Sequence, residues 1–209
     1  MDVQIIEPRP AQLGGDDSIE VRRLLPSRDR SMVGAWCFLD HYGPVDVAGG
    51  EVPMDVGPHP HTGLQTCSLL FSGEIEHNDS DGVHAFVRPG EMNLMTSGHG
   101  IAHSEVTTAS TRVLHGVQLW IALPDDARFV PRAFQNYPAP EVEVPGGRVR
   151  VFIGSVEGVA SSPVETYTPL LGAEHTVDAG ACVELSPSGR TSNTACSSTP
   201  ARSPGMTLL

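Results

Sequence analysis

Two short pairs of side chains carry the chemistry this sequence could do. His59-Pro60-His61 opens, and His103-Ser104-Glu105 closes, a stretch of β-type runs separated by Gly-containing turns. Successive side chains of a strand point to opposite faces, so residues i and i+2 share one. His59 and His61 can therefore face the same way, and so can His103 and Glu105. Brought together across a barrel interior, three imidazoles and one carboxylate form a ligand set for a divalent transition metal, with coordination positions left open. A single strand histidine is ordinarily a hydrogen-bonded core or rim residue. Two such pairs bracketing one hairpin-rich stretch are far rarer by chance, and a metal site is expected here.

The elements that must position these pairs are short strands. Leu64 to Phe71, Glu74 to His77, Val83 to Val87 and Met92 to Met95 are strand-length and partly alternating. Between them lie turns at Phe71-Ser72-Gly73-Glu74, Asn78-Asp79-Ser80-Asp81-Gly82 and Arg88-Pro89-Gly90-Glu91. A small antiparallel barrel built this way carries ligands on its inward face.

Composition agrees with a turn-rich β protein. The 209 residues include 22 Gly and 18 Pro but are only 18% charged and 5% aromatic. The net charge of −12 opposes a phosphate backbone, and Arg22-Arg23 and Arg28…Arg30 are too sparse to offset it. No direct nucleic-acid role is expected. Met1-Asp2-Val3-Gln4 lacks the basic and apolar regions of a signal peptide, and no apolar run approaches the ~20 residues of a membrane span. Cys37, Cys67, Cys182 and Cys196 show no metal or disulfide spacing and read as free thiols of a cytoplasmic protein.

Taken in order, Val3 to Ile6 and Ile19 to Leu25 read as strands joined by a Gly-Gly-Asp-Asp turn. Val33 to Pro44 reads as an apolar strand ending in a polar loop, where His41 is expected to be held by Asp40 or a carbonyl. Val45 to Gly57 reads as a loop over the barrel mouth. Arg112 to Pro124 is the most apolar run; Trp120 is expected in core or inter-barrel packing. Asp125 to Pro140 reads as a short helical turn and an extended linker. Arg148 to Gly154, Val164 to Leu171 and Gly180 to Leu185 read as strands of a second barrel whose single histidine, His175, cannot build another such site.

The ordered run of His59-Pro60-His61-Thr62-Gly63-Leu64-Gln65-Thr66, Ser72-Gly73-Glu74-Ile75-Glu76-His77, Pro89-Gly90-Glu91 and Met95-Thr96-Ser97-Gly98-His99-Gly100-Ile101-Ala102-His103-Ser104-Glu105 resembles the pirin family. In weaker form the resemblance extends from Val33 to Leu185. It implies an all-β cupin fold with two double-stranded β-helix (jelly-roll) barrels. It further implies one metal in the N-terminal barrel, held by His59, His61, His103 and Glu105. Fe(II) is the expected ion, with Mn, Ni, Cu or Zn as alternatives. Gln65 stands where many cupins carry a glutamate and is left outside the ligand set. The resulting division is a metal-binding barrel over 1–124, a linker over 125–147, a partial C-terminal barrel over 148–187 and a disordered tail over 188–209. The Ser-, Thr-, Pro- and Ala-rich stretch after Pro187 has no strand period. Because pirins usually run longer, an incomplete second barrel with an unpaired edge is expected, as in a truncated or frame-shifted product or a short variant.

Function follows from the same resemblance. A quercetin 2,3-dioxygenase-like enzyme would cleave a small aromatic, flavonol-like substrate with O₂, with Glu105 as the catalytic base that takes the enol proton. The alternative is a metal- or redox-responsive module that acts through a protein partner without turnover. A third reading is a remnant that keeps the metal but positions no substrate. His77 and His99 could steady the ligands but are expected as surface or turn histidines.

Overall fold

The computed structural model describes residues 4–13, 19–47, 54–184 and, by backbone, 195–197 and 205–208. There is no α-helix among them. The first strands are β1 (Arg9–Gln12), β2 (Glu20–Leu25), β3 (Trp36–Asp46), β4 (Asp55–His61), β5 (Leu64–Ser72) and β6 (Ile75–Asp79). They are followed by β7 (His84–Val87), β8 (Glu91–Thr96), β9 (Ile101–Thr107), β10 (Val113–Ala122), β11 (Ala133–Pro138) and β12 (Val142–Val144). The last are β13 (Gly147–Ile153), β14 (Ser155–Val156), β15 (Ala160–Ser161), β16 (Gly172–Val177), β17 (Ala195–Ser197) and β18 (Gly205–Leu208).

Strands β1-β2-β3-β10-β5-β8-β11 form a seven-stranded sheet, and β4-β9-β6-β7 a four-stranded sheet that faces it. A third sheet has the order β12-β13-β16-β18-β17, and β14 pairs with β15 alone. The middle of the large sheet is covered on both sides, which is why β5 and β10 read as nearly continuous apolar runs. Cys67, Leu69, Val117, Leu119 and Ile121 point away from the small sheet and pack with Phe152 and Ile153 of β13. The residues between them point inward. Val21, Tyr42, Met54, Val56, Leu70, Ile75, Val87 and Leu114 fill one end of the space between the sheets. Burial of each large side chain contributes about 1.5–3 kcal/mol. Polar residues of the same strands collect at the other end.

One irregularity in β4 decides what faces that end. Val56 pairs with Glu105 and His59 with His103, so one extra residue is accommodated between them. Such a bulge reverses the side on which later residues emerge. Val56, His59 and His61 consequently share the inner face despite their mixed parity.

Several sequence expectations differ from the structure. Residues 4–6 are not a strand; the first strand comes three residues later and includes Pro10, which lies toward the sheet edge where a missing N–H costs no ladder bond. The Gly-Gly-Asp-Asp turn and the middle of the mouth loop lie outside the described residues. Strand β3 continues through His41 to Asp46 rather than ending in a loop, because β2 and β10 pair with it on either side. Within 125–147, expected as a linker, β11 adds to the edge of the large sheet beside β8, with Pro138 at its last position. Residues 164–171 join no ladder and bend at 167–168, with Pro163 and Pro169 withholding donors on either side; the next strand is β16. Residues 181–184 are also outside any strand, and residue 185 is not described. Within 188–209, expected to be disordered, β18 pairs with β16 and β17 with β18. Backbone pairing needs no apolar period, so composition did not reveal it.

Candidate metal centre

His59, His61 and His103 bring one ring nitrogen each to within 4.8 Å of one another at the polar end of the barrel. Strands β4 and β9 are neighbours, and His59 sits directly opposite His103. The Nε2 atoms of His61 and His103 are 3.0 Å apart. Glu105 lies one residue pair further along β9 on the same face, and it, His103 and His77 of β6 bring one donor atom each to within 4.8 Å of one another. His103 is thus common to both groups. His61, His77, His103 and Glu105 are buried, while His59 is partly exposed and lies at the open side.

These donors suit a divalent transition metal. Two nitrogens each about 2.1 Å from one ion, at right angles, are about 3 Å apart, which is the His61–His103 separation. Ligation also requires neutral imidazoles. Burial, with the neighbouring His103 and His59, pushes His61 down to about 4. Burial, then His59 and His77, pushes His103 down to about 3, against a smaller opposing effect of Asp79. The His59 Nδ1–H donates to the Gly57 carbonyl at 2.9 Å, which leaves its Nε2 lone pair free. This is the arrangement in which a backbone acceptor fixes a ligand's tautomer.

Around the ligands the large sheet supplies both polar and aromatic contacts. Ser68 Oγ donates to Glu105 Oε1 at 2.7 Å. It also lies 2.9 Å from the Gln118 carboxamide. A hydroxyl has one proton and a carboxylate only accepts, so Gln118 must present its NH₂ to Ser68. Trp120 stacks on Phe38 at a centroid distance of 4.0 Å and meets His61 edge-on at 5.0 Å. It therefore packs on the barrel interior rather than between barrels, the other of the two settings expected for it.

The other histidines separate cleanly. His41 points to the opposite face of β3, where its Nε2 lies 2.9 Å from His115 Nε2 and Arg22 approaches its ring. Burial, then the Arg22 and His115 charges, pushes it down to about 4. Asp40, which with a carbonyl was one of two partners expected for it, instead holds Arg23. His99 is exposed beside the Val130 carbonyl. Gln65 is fully buried on the outer face of β5, where its amide donates to Thr96. His77, expected on the surface or in a turn, is buried against His103 and Phe134. Sequence reasoning named His77 among residues that could steady the ligands but placed it at the surface, and it missed Asp79, Ser68 and Gln118 as neighbours of the site. The signal for Asp79 was its i,i+2 spacing from His77 in β6; for the other two, parity with Trp120 and Thr66.

Histidine-rich donors on the inner face of a two-sheet antiparallel barrel define a metal-binding cupin. Residues 18–121 match the family model described as Pirin. A Pseudomonas aeruginosa protein provisionally named a quercetin 2,3-dioxygenase is 46% identical over 173 residues, 82% of this chain and 54% of that protein. A pirin-like protein of Caulobacter vibrioides is 37% identical over 190 residues, 87% of this chain and 64% of that one. The crystal structure of quercetin 2,3-dioxygenase from Acinetobacter baumannii superposes with a TM-score of 0.76 at 35% identity, covering 97% of this chain and 70% of that one. The chain belongs to the pirin family. It spans between about half and two-thirds of the length of these two sequence relatives.

Proposed function

We propose that His59, His61, His103 and Glu105 hold one metal ion, Fe(II) in the cell, and that the protein acts as a dioxygenase on flavonol-like substrates such as quercetin. The observation that carries the proposal is the close approach of the His61 and His103 Nε2 atoms beside His59, in a buried pocket end with Glu105 next along β9. Resemblance to proteins named quercetin 2,3-dioxygenases supports the choice of substrate class.

When bound, the metal supplies Lewis acidity toward an enol oxygen and a centre at which dioxygen can react. The chain's own residues do the rest. Glu105, whose Oε1 accepts from Ser68, is the carboxylate beside the site that would take the enol proton. The stacked Trp120 and Phe38 form a flat wall beside His61 against which an aromatic ring can lie. Burial of the inner ligands excludes water from all but the His59 side.

Oxygen uptake by the Fe(II)-loaded protein with a panel of flavonols tests this. Uptake matched by loss of flavonol, and absent with metal-free protein, is expected. No uptake above that of free iron, together with metal-dependent binding of a protein partner, would replace the enzyme with a regulatory module.

A further inference from the structure

Behind His103, on the side away from His61, lies a second line of polar groups. Strand β6 pairs with β9 so that Asp79 is opposite His103 and His77 opposite Glu105. His77 is therefore the diagonal neighbour of His103 on the inner face, and its Nδ1 lies 3.3 Å from His103 Nδ1. The other His77 nitrogen, Nε2, lies 3.4 Å from Asp79 Oδ2. Asp79 is in turn fixed by its turn: its Oδ1 accepts the backbone N–H groups of Asp81 at 2.9 Å and Val83 at 3.0 Å. Both side chains are almost wholly buried, at 3% and 0% exposure.

These contacts have one consistent proton arrangement for a neutral His77. A carboxylate only accepts, so His77 Nε2 carries the proton and donates it to Asp79. His77 Nδ1 is then a bare lone pair. The facing His103 Nδ1 must carry the proton between them, which leaves the lone pair of His103 on Nε2, the atom that faces His61.

We propose that Asp79 and His77 form a positioning relay that holds His103 in the tautomer presenting Nε2 to the metal. The inference rests on the metal site proposed above. It assigns no ligand role to His77, although His77, His103 and Glu105 could by proximity hold an ion themselves. It also explains why a polar chain is built into an otherwise closed face of the barrel. An unpartnered imidazole there would be free to turn over or to place its proton on the ligating nitrogen.

Asp79→Asn is the discriminating substitution. The two turn amides still require an oxygen, so the new carboxamide directs its oxygen to them and its NH₂ to His77. His77 Nε2 must then accept, its proton moves to Nδ1, and His103 is forced to protonate Nε2. The relay predicts that D79N and H77F lower Co(II) affinity about 10–100-fold in chelator competition. His77→Asn, whose carbonyl can accept the His103 Nδ1–H, is expected to stay within a few-fold of native, with an unchanged Co(II) d–d absorption band. In metal-free protein, ¹⁵N chemical shifts should place the His103 proton on Nδ1 in the native chain and on Nε2 in D79N.

Native Co(II) affinity in both H77F and D79N would overturn the relay, as would a His103 proton on Nε2 in the native chain. A d–d band altered in H77N as by loss of an imidazole would make His77 a ligand and also overturn it. Should the native chain bind no Co(II), the functional reading falls, and the tautomer of the metal-free protein still decides the relay.

Discussion

Acidifying the metal-free protein should weaken it through the same imidazoles that suit it to a metal. His61 is 7% exposed and its pKa is pushed from 6.5 to about 4, chiefly by burial. Below pH 6.5 the unfolded chain takes up a proton at this position and the folded chain does not. Stability therefore falls with pH, by about 1.36 kcal/mol per unit for each such group, until the folded pKa is reached. The stabilising contribution is complete above pH 6.5 and lost as pH falls toward 4. Between pH 6.5 and 5 this amounts to roughly 2 kcal/mol for His61. His41, lowered to about 4, and His103, lowered to about 3, act in the same direction and on the same scale. Urea denaturation of metal-free native protein and of His61→Leu at both pH values isolates one contribution. The substitution should reduce the acid loss by on the order of 2 kcal/mol, whatever it does to stability at neutral pH. An equal loss in the two proteins, or a native chain that gains stability on acidification, would refute the reasoning.

Two further substitutions probe the frame that holds the site. Arg23 grips the fully buried Asp40 with two bonds, at 2.7 and 2.6 Å, so Arg23→Met should strand a carboxylate whose pKa burial already raises, costing about 3–5 kcal/mol by denaturation; Arg23→Met with Asp40→Met should recover most of it. Gly98 has φ +48° and its carbonyl accepts the N–H of Gly63 just after His61, while an added Cβ would lie 1.9 Å from the Val130 carbonyl oxygen. Gly98→Ala should cost about 1–3 kcal/mol from backbone conformation alone, more with the overlap, and lower the melting temperature.

The ligand pairs were legible because strand parity acts locally. His103 and Glu105 follow it directly, and β5, β6, β7 and β8 fall where turn residues and alternation place them. The bulge that brings Val56 to the inner face with His59 was not legible, because Gly57-Pro58 marks an irregularity without stating its sense. His77 was expected at the surface and Asp79 escaped notice because a turn-rich context predicts exposure, whereas pairing with β9 buries them. Beyond residue 124 a proline that suggested a linker instead sits at the end of β11, and β11 and β18 depend on partners distant in sequence. Ladders formed by polar residues leave little trace in composition.

Metal binding by the native chain and by His61→Ala tests the central claim most directly. Protein purified without oxygen and loaded with Fe(II) should hold about one ion per chain, and H61A should hold far less while keeping its strand circular dichroism. Equal metal in the two proteins, or none in the native chain, would contradict the account.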